Sequence, residues 1–295
     1  MEQLSWAWAY KKPTSYGMPY QGSKNKIADR LLSQLPSGRR FVDLFGGGGA
    51  MSHAALLSGK YTTVLYNEYN PLLVDLLRRS LRGEFEALHT IPFVSRAQFK
   101  AENESDGFIK YVWSFGNAGR DYFTAAESEP EMKRIYNYWL HGGVRQTAER
   151  EKKLYAEDKA LMKRMVAIER MQRLAKLKGL PIEVRQGSYT EYRHKPGDVV
   201  YCDPPYEGTT GYGKKRKGGF DHQAFYDWVY TRGYPVFFSS YEISDKRFKV
   251  LYELPRTGSM GANNNNRVTE RLYINKAAEE QYADRTHEDN RFKAV

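Results

Sequence analysis

Hydrophobic positions in the first third of the chain fall into short runs separated by helical spacing. Arg39 to Phe45 (RRFVDLF) is a short apolar run that stops at four consecutive glycines, as expected of a parallel strand buried on both faces. Gly49 to Ser58 then reads as a helix and Thr63 to Tyr66 as a second strand. Asn70-Pro71 opens LLVDLLRRSL, with Asn suited to capping and Pro to the first helical position. From about Thr90 to Gly179 the strand signal gives way to aromatic-rich, helix-prone sequence that ends in an amphipathic stretch, Thr147 to Leu177. Strand runs return at Ile182 to Val184, Asp198 to Tyr201 and Pro235 to Phe238, with a helix predicted over Phe220 to Arg232. Lys249 to Tyr252 and Arg271 to Ile274, joined through the Gly- and Asn-rich segment Gly258 to Asn266, predict an antiparallel pair.

These elements predict an α/β fold. Its core is an open, mostly parallel sheet with helices on both faces, an antiparallel C-terminal strand pair and a helical insertion; ligands are expected at the carboxyl ends of the strands. The expected division is 1–88 for the first part of the sheet, 89–179 for the insertion, 180–276 for the second part, and 277–295 for a charged tail.

Composition narrows the function classes. A chain of 295 residues, 41% hydrophobic and 14% aromatic, can bury a sizeable core. No stretch approaches the roughly 18 consecutive apolar residues of a spanning helix, which excludes a membrane protein of that kind. The start MEQLSWAWAYKKP lacks the order of a secretory signal and the single cysteine, Cys202, has no intrachain partner, so a cytoplasmic protein is expected. The formal charge of +11 points to a polyanionic partner, meaning nucleic acid where no membrane anchor is visible. That excess is local: Lys133 to Lys178 holds 13 Lys and Arg against 5 Asp and Glu. A second cluster, Lys214, Lys215, Arg216 and Lys217, lies among glycines and reads as a basic loop, either a phosphate contact or a solvated surface.

Three motifs carry candidate chemistry. Phe45-Gly46-Gly47-Gly48-Gly49 follows a strand and opens a helix, where the backbone must turn tightly and admit a ligand. The dinucleotide spacing G-x-G-x-x-G fails because Met51 stands where the third glycine belongs, and the phosphate-cradling lysine loop is absent. A nucleoside-type cofactor held without dominant phosphate contacts remains, as does a plain glycine linker. Glu68, about 20 residues further on at the end of the second strand, is placed to accept from ribose hydroxyls. Asp203-Pro204-Pro205-Tyr206 ends a buried strand. Two prolines stiffen the chain and lack N–H donors, so an acid and a carbonyl are held side by side with an aromatic face next to them. Asp203 and the Pro204 carbonyl suit a planar substrate with an exocyclic amino group, each accepting one amino hydrogen while Tyr206 stacks on the ring.

With these residues the sequence resembles the Dam-like, D12 class N6-adenine DNA methyltransferases of the alpha group. That family carries Asp-Pro-Pro-Tyr as its catalytic motif and a Phe-x-Gly-x-Gly turn for S-adenosylmethionine. Tyr20-Gln21-Gly22-Ser23-Lys24 is similar to its N-terminal cofactor motif, Asn67-Glu68 to its ribose-binding acid, and Gly187-Ser188-Tyr189 to the segment beside the cofactor adenine. The likeness covers roughly Tyr20 to Gly83 and Ile182 to Asn275, about half the chain.

The resemblance implies a Rossmann-like class I methyltransferase sheet, a target-recognition insertion, and direct transfer of a methyl group to adenine N6 of duplex DNA after base flipping. It implies Asp203, Pro204, Pro205 and Tyr206 as the catalytic residues. Tyr20, Gly22, Ser23, Lys24, Asp43, Phe45, Gly46, Gly48, Glu68, Ser188, Tyr189 and Asp203 would hold S-adenosylmethionine. Tyr111 to Phe123 is similar to the start of the family's target-recognition region and brings Asn117 and Arg120 as DNA contacts. Arg145, Arg150, Lys152, Lys153 and the 214–217 cluster are basic candidates for phosphate. No metal is expected, because the six histidines lack ligand spacing. The expected partner is double-stranded DNA, with the protein a monomer or weak dimer. Other readings stay open: an amino group of cytosine or of RNA adenine as acceptor, or an inactive DNA-binding relative. Asp203 favours adenine, since families acting on other amino groups generally place Ser or Asn there. Cys202, inside an apolar strand, reads as a small buried residue rather than the thiolate of cytosine C5 chemistry.

Overall fold

The computed structural model describes residues 15–87, 90–140, 159–207, 219–257 and 267–282. Seven strands form one sheet: β1 (Gly38–Asp43), β2 (Tyr61–Glu68), β3 (Ile182–Gln186), β4 (Asp198–Cys202), β5 (Val236–Ser240), β6 (Lys249–Thr257) and β7 (Arg267–Ile274), in the order β3-β2-β1-β4-β5-β7-β6. The first five are parallel, while β7 runs antiparallel between β5 and β6. The order reverses between β1 and β4. Helices leaving those two strands diverge there, which opens a crevice at their carboxyl ends.

Strict two-residue alternation explains why the sheet is covered on both faces. Phe41, Val199, Tyr201 and Phe237 enter one apolar cluster, and Val42, Val200, Cys202, Val236 and Phe238 enter another. The first lies under α1 (Ala28–Gln34), α2 (Ala50–Leu57) and α3 (Pro71–Leu81), where Asn70 caps α3 by accepting from the Leu72 N–H, as its sequence predicts. Among the described residues the α-helices of the middle third are α4 (Arg96–Glu102), α5 (Gly107–Val112), α6 (Glu129–Leu140) and α7 (Lys159–Ala175). They join the same cluster through Trp113, Tyr136, Met165 and Ile168. The second cluster is closed by α8 (His222–Tyr230), which starts later than its periodicity suggests because Asp221 accepts from the Ala224 N–H and fixes the first turn.

The basic stretch of the middle third differs from its expected role in one respect. Arg164 and Arg170, both on α7, turn inward instead of presenting charge to a polyanion. Arg164 is 3% exposed and donates to the carbonyls of Val112 and Ser114. Arg170 donates to those of Tyr16, Gly17 and Met18. Burial pulls both guanidinium groups down to about 10. A guanidinium carries five donors in a rigid fork, so each can satisfy several carbonyls where backbone segments meet away from water.

Candidate active site and cofactor cradle

The alternation that builds the core also assembles the site. Asp43 shares its strand face with Phe41, Glu68 with Tyr66, and the residue after β4, Asp203, with Tyr201. Because β7 is antiparallel, with Ser240 at the end of β5 opposite Arg271, the first half of β7 lies at the carboxyl ends of the parallel strands. Glu270 there shares the face of Leu272 and Ile274 and is 1% exposed. Four carboxyl groups thus point into one layer of an otherwise basic chain.

On the β1–β2 side the cradle is made largely of backbone. A Cβ on Gly46 would lie 2.2 Å from the Tyr66 ring, so only glycine lets the turn close. The next N–H, that of Gly47, donates to Glu68 Oε2 at 2.8 Å, and the Asn70 N–H donates to Oε1 at 2.8 Å. Burial raises the Glu68 carboxyl and these N–H groups oppose the rise. Each oxygen keeps a second lone pair, so Glu68 can still accept from a diol. Asn67 braces the cradle by donating its amide to the carbonyls of Leu44 and Gly187. Phe45 stacks on Tyr189 with centroids 5.1 Å apart, and Ser188 caps the turn carrying Tyr189 by accepting from the Thr190 N–H. Gly48 accepts through its carbonyl from the Met18 N–H at 2.6 Å, which binds the segment leading to Tyr20 onto the glycine turn.

Asp43 is 1% exposed and accepts from Ser52 Oγ at 2.7 Å, while its other oxygen, also buried, has no hydrogen-bond partner. Burial pushes this carboxyl up to about 7, with the charges of Asp203 and Glu68 adding to the rise. A buried unpartnered acceptor of this kind costs free energy unless a ligand supplies a donor or a cation. Ser23 Oγ is a second buried group without a partner. The donor set of carboxylates, an aromatic pair and a glycine turn fits a nucleoside cofactor bearing positive charge.

The β4 side is held by side chains. Lys24, 5% exposed, donates from Nζ to both oxygens of Asp203 at 2.7 Å and lies 3.5 Å from Glu270 Oε1. The same ammonium sits 4.8 Å from the centre of the Tyr206 ring. The Tyr206 hydroxyl makes a short hydrogen bond to Glu270 and lies 3.0 Å from Asp203 Oδ1. Burial raises the Asp203 carboxyl; Lys24 pulls it back and Glu270 pushes it further up. Pro204 is buried, and the Pro205 carbonyl accepts from His222 Nε2 at 2.8 Å, so the first residue of α8 steadies the Pro-Pro turn. Cys202 is fully buried in β4, and burial raises its thiol well above the ordinary value, in keeping with a packing role.

Of the sequence-predicted residues, Lys24, Asp203 and Tyr206 meet directly; Asp43, Phe45, Gly46, Gly48, Glu68, Ser188 and Tyr189 line the neighbouring cradle. Tyr20 touches Tyr111 edge-on at 5.4 Å, and the Gln21 N–H donates to the Asn117 carbonyl, so the N-terminal motif abuts the start of the insertion. Gly22 and Arg120 are exposed. Asn117 has a positive φ of 56° and gives its side-chain amide to the Tyr111 carbonyl. Arg145, Arg150, Lys152, Lys153 and the Lys214 to Lys217 cluster lie outside the described residues. Glu270 and His222 were not foreseen. The signal for Glu270 was an acid in step with Leu272 and Ile274 on a strand buried on both faces, hidden because the strand was begun at Arg271. Among the described residues no group of three or more His, Cys, Asp or Glu could hold a metal ion, and no helix is long and apolar enough to cross a membrane.

A parallel Rossmann-like sheet with an antiparallel β7, a glycine turn after β1 and Asp-Pro-Pro-Tyr after β4 defines the methyltransferase class of transferases. The chain belongs to the D12 class N6 adenine-specific DNA methyltransferases, whose family profile matches residues 20–253. It is 26% identical over 247 residues to the retron Ec67 DNA adenine methylase of Escherichia coli, covering 77% of each chain. A solved structure, the rRNA methyltransferase AviRa of Streptomyces viridochromogenes, aligns with a TM-score of 0.39 at 15% identity, covering 95% of this chain and 93% of that one.

Proposed function

We propose that the protein is a site-specific DNA methyltransferase that uses S-adenosylmethionine to methylate N6 of an adenine flipped out of duplex DNA. The observation that carries the reading is Asp203 placed between Lys24 and Tyr206 at the mouth of a cradle whose buried Asp43 oxygen has no partner. Bound S-adenosylmethionine supplies an electrophilic methyl group on a positively charged sulfur. Asp43 would take its cationic amino acid end, Glu68 its ribose hydroxyls, and Phe45 with Tyr189 its adenine. Asp203 and the Pro204 carbonyl would accept the two hydrogens of the target amino group. That draws the nitrogen lone pair out of the ring and aims it at the cradle. Tyr206 would stack on the flipped base, whose unpairing costs a few kcal/mol.

Among the described residues Asp203 Oδ1 already accepts from both Lys24 and Tyr206, whereas Oδ2 accepts from Lys24 alone and keeps a second lone pair, so the target amino group would be received at Oδ2. Asn117, Arg120, Arg145, Lys152 and the 214–217 cluster are proposed as DNA contacts, the basic ones to phosphate. The 89–179 segment is proposed as the target-recognition region. A cytoplasmic site of action follows from the substrate. Transfer of labelled methyl from S-adenosylmethionine to duplex DNA is the test, with the modified nucleoside identified by mass. Asp203→Ala is expected to lower transfer by about 10³-fold or more. Undiminished transfer in that variant, or a product other than N6-methyladenine, would overturn the assignment.

A further inference from the structure

Tyr241 belongs to none of the motifs read from the sequence, yet it stands beside the Asp-Pro-Pro-Tyr segment. β5 runs parallel to β4 with Cys202 opposite Phe238, so the segments that leave the two strands emerge side by side at the carboxyl end of the sheet. Phe237 and Ser239 are in step with Tyr201 on one face, where the Tyr201 hydroxyl and Ser239 Oγ lie 2.7 Å apart. Tyr241, two residues further on, continues that series past the strand as Asp203 does after β4. Its ring meets that of Tyr206 at 77° with centroids 4.7 Å apart. An edge-to-face pair at this distance is attractive and resists tilting of either ring. Both residues are half-buried, so the pair borders the crevice instead of filling the core.

The position of Tyr241 is itself fixed from two sides. Its backbone carbonyl accepts from the Tyr273 hydroxyl at 2.8 Å, which ties it to β7. Three residues on, Ser244 donates from its N–H to Glu207 Oε2 at 2.9 Å and from Oγ to Oε1 at 3.0 Å. Glu207 directly follows Tyr206, so the segment after β5 is pinned to the neighbour of the ring that Tyr241 touches.

We infer that Tyr241 is a positioning residue for methyl transfer: it sets the plane of the Tyr206 ring, and through it the plane in which a flipped base stacks. The inference rests on the base-stacking role proposed above for Tyr206. The amino group of a stacked adenine lies in the plane of the base, and its hydrogens meet Asp203 and the Pro204 carbonyl together only while that plane is held. A tilt of the ring moves the amino nitrogen out of line with the methyl donor. Tyr241 therefore acts on the rate of transfer and not on affinity for cofactor or duplex.

The test is single-turnover methyl transfer by the full chain, saturated with S-adenosylmethionine and with duplex DNA that the wild type methylates, both affinities being measured separately. Tyr241→Ala is expected to lower the rate about tenfold while changing either dissociation constant less than about twofold. Tyr241→Phe keeps the ring and should recover most of that loss. Glu207→Ala, which releases Ser244 without touching either ring, should slow transfer about threefold alone and add nothing to Tyr241→Ala, because both act through one contact. An unchanged rate in Tyr241→Ala or Glu207→Ala, a Phe variant as slow as the Ala variant, or affinities that fall as far as the rate overturns the inference while leaving the methyltransferase reading intact. Wild-type protein that transfers no methyl group to duplex DNA sinks that reading itself.

Discussion

Two carboxylates at the same end of the same sheet are held in opposite ways. Glu68 is fixed by the backbone N–H groups of Gly47 and Asn70, on a turn closed by glycines and on a capped helix start. Asp203 is fixed by side chains, through the Lys24 ammonium on both oxygens and the Tyr206 hydroxyl nearby. A backbone donor cannot leave without unfolding the turn, whereas a lysine side chain can swing away at the cost of a rotamer change and an ion pair. The cradle is therefore a fixed mould, and the Asp-Pro-Pro-Tyr side is an arrangement that a substrate can rearrange. On the proposed mechanism this division matches what each half would do, a cofactor binding the same way every turnover while a flipped base enters and leaves.

Gly46→Ala attacks the fixed half most directly. Its Cβ would meet the Tyr66 ring at 2.2 Å, so a loss of about 3 kcal/mol in denaturant unfolding is expected, together with loss of cofactor binding. A variant as stable as the wild type would show that the mould is not rigid. Next in size is Glu68→Gln. Both carboxylate oxygens face N–H donors, so the amide NH2 must confront one of them. Cofactor affinity by calorimetry should fall about 10- to 100-fold, with little change in DNA affinity.

The smallest effect is expected at Asp43, between the two halves. Its carboxyl is raised from 3.8 to about 7, so the folded state holds a proton there that the unfolded chain releases. This contribution to stability is present in full below about 4 and is lost as pH rises through 7. The Asp43→Asn variant should gain on the wild type in thermal melts as pH climbs from 5 to 8. A cationic cofactor pairs with the ionised form, so wild-type affinity should rise a few-fold through pH 7 and the Asn variant should show no such rise. A flat wild-type profile would remove Asp43 from the cradle.

The same division explains what could be read from sequence. Backbone-built features leave local signatures: the apolar runs of β1 and β4, the glycines after Phe45, Asn70-Pro71 at a helix start and Pro204-Pro205 after an acid. All can be read within a few residues, because turns and caps demand particular residue types. The partnership of Lys24, Asp203, Tyr206 and Glu270 spans almost the whole chain; Tyr206 is legible three residues from Asp203, but Lys24 is reached only through family likeness. Glu270 depends on an antiparallel strand entering between β5 and β6, which no local pattern announces. Arg164 and Arg170 misled for a related reason. Their charge suggested a polyanion, but α7 places them where the carbonyls of residues 16–18 and of Val112 and Ser114 converge.

The burial of Cys202 has a practical consequence. It is the single cysteine of the chain and sits fully inside β4, one residue before Asp203, the acid proposed to hold the target amino group. A thiol reagent added to the folded protein should therefore react no faster than the central sheet opens, so the labelling rate becomes a clock for local unfolding beneath the active site. Ligand that tightens the crevice should slow that clock. A cysteine engineered on the surface would carry a dye or spin label with little background, provided the labelling is brief compared with the opening of β4.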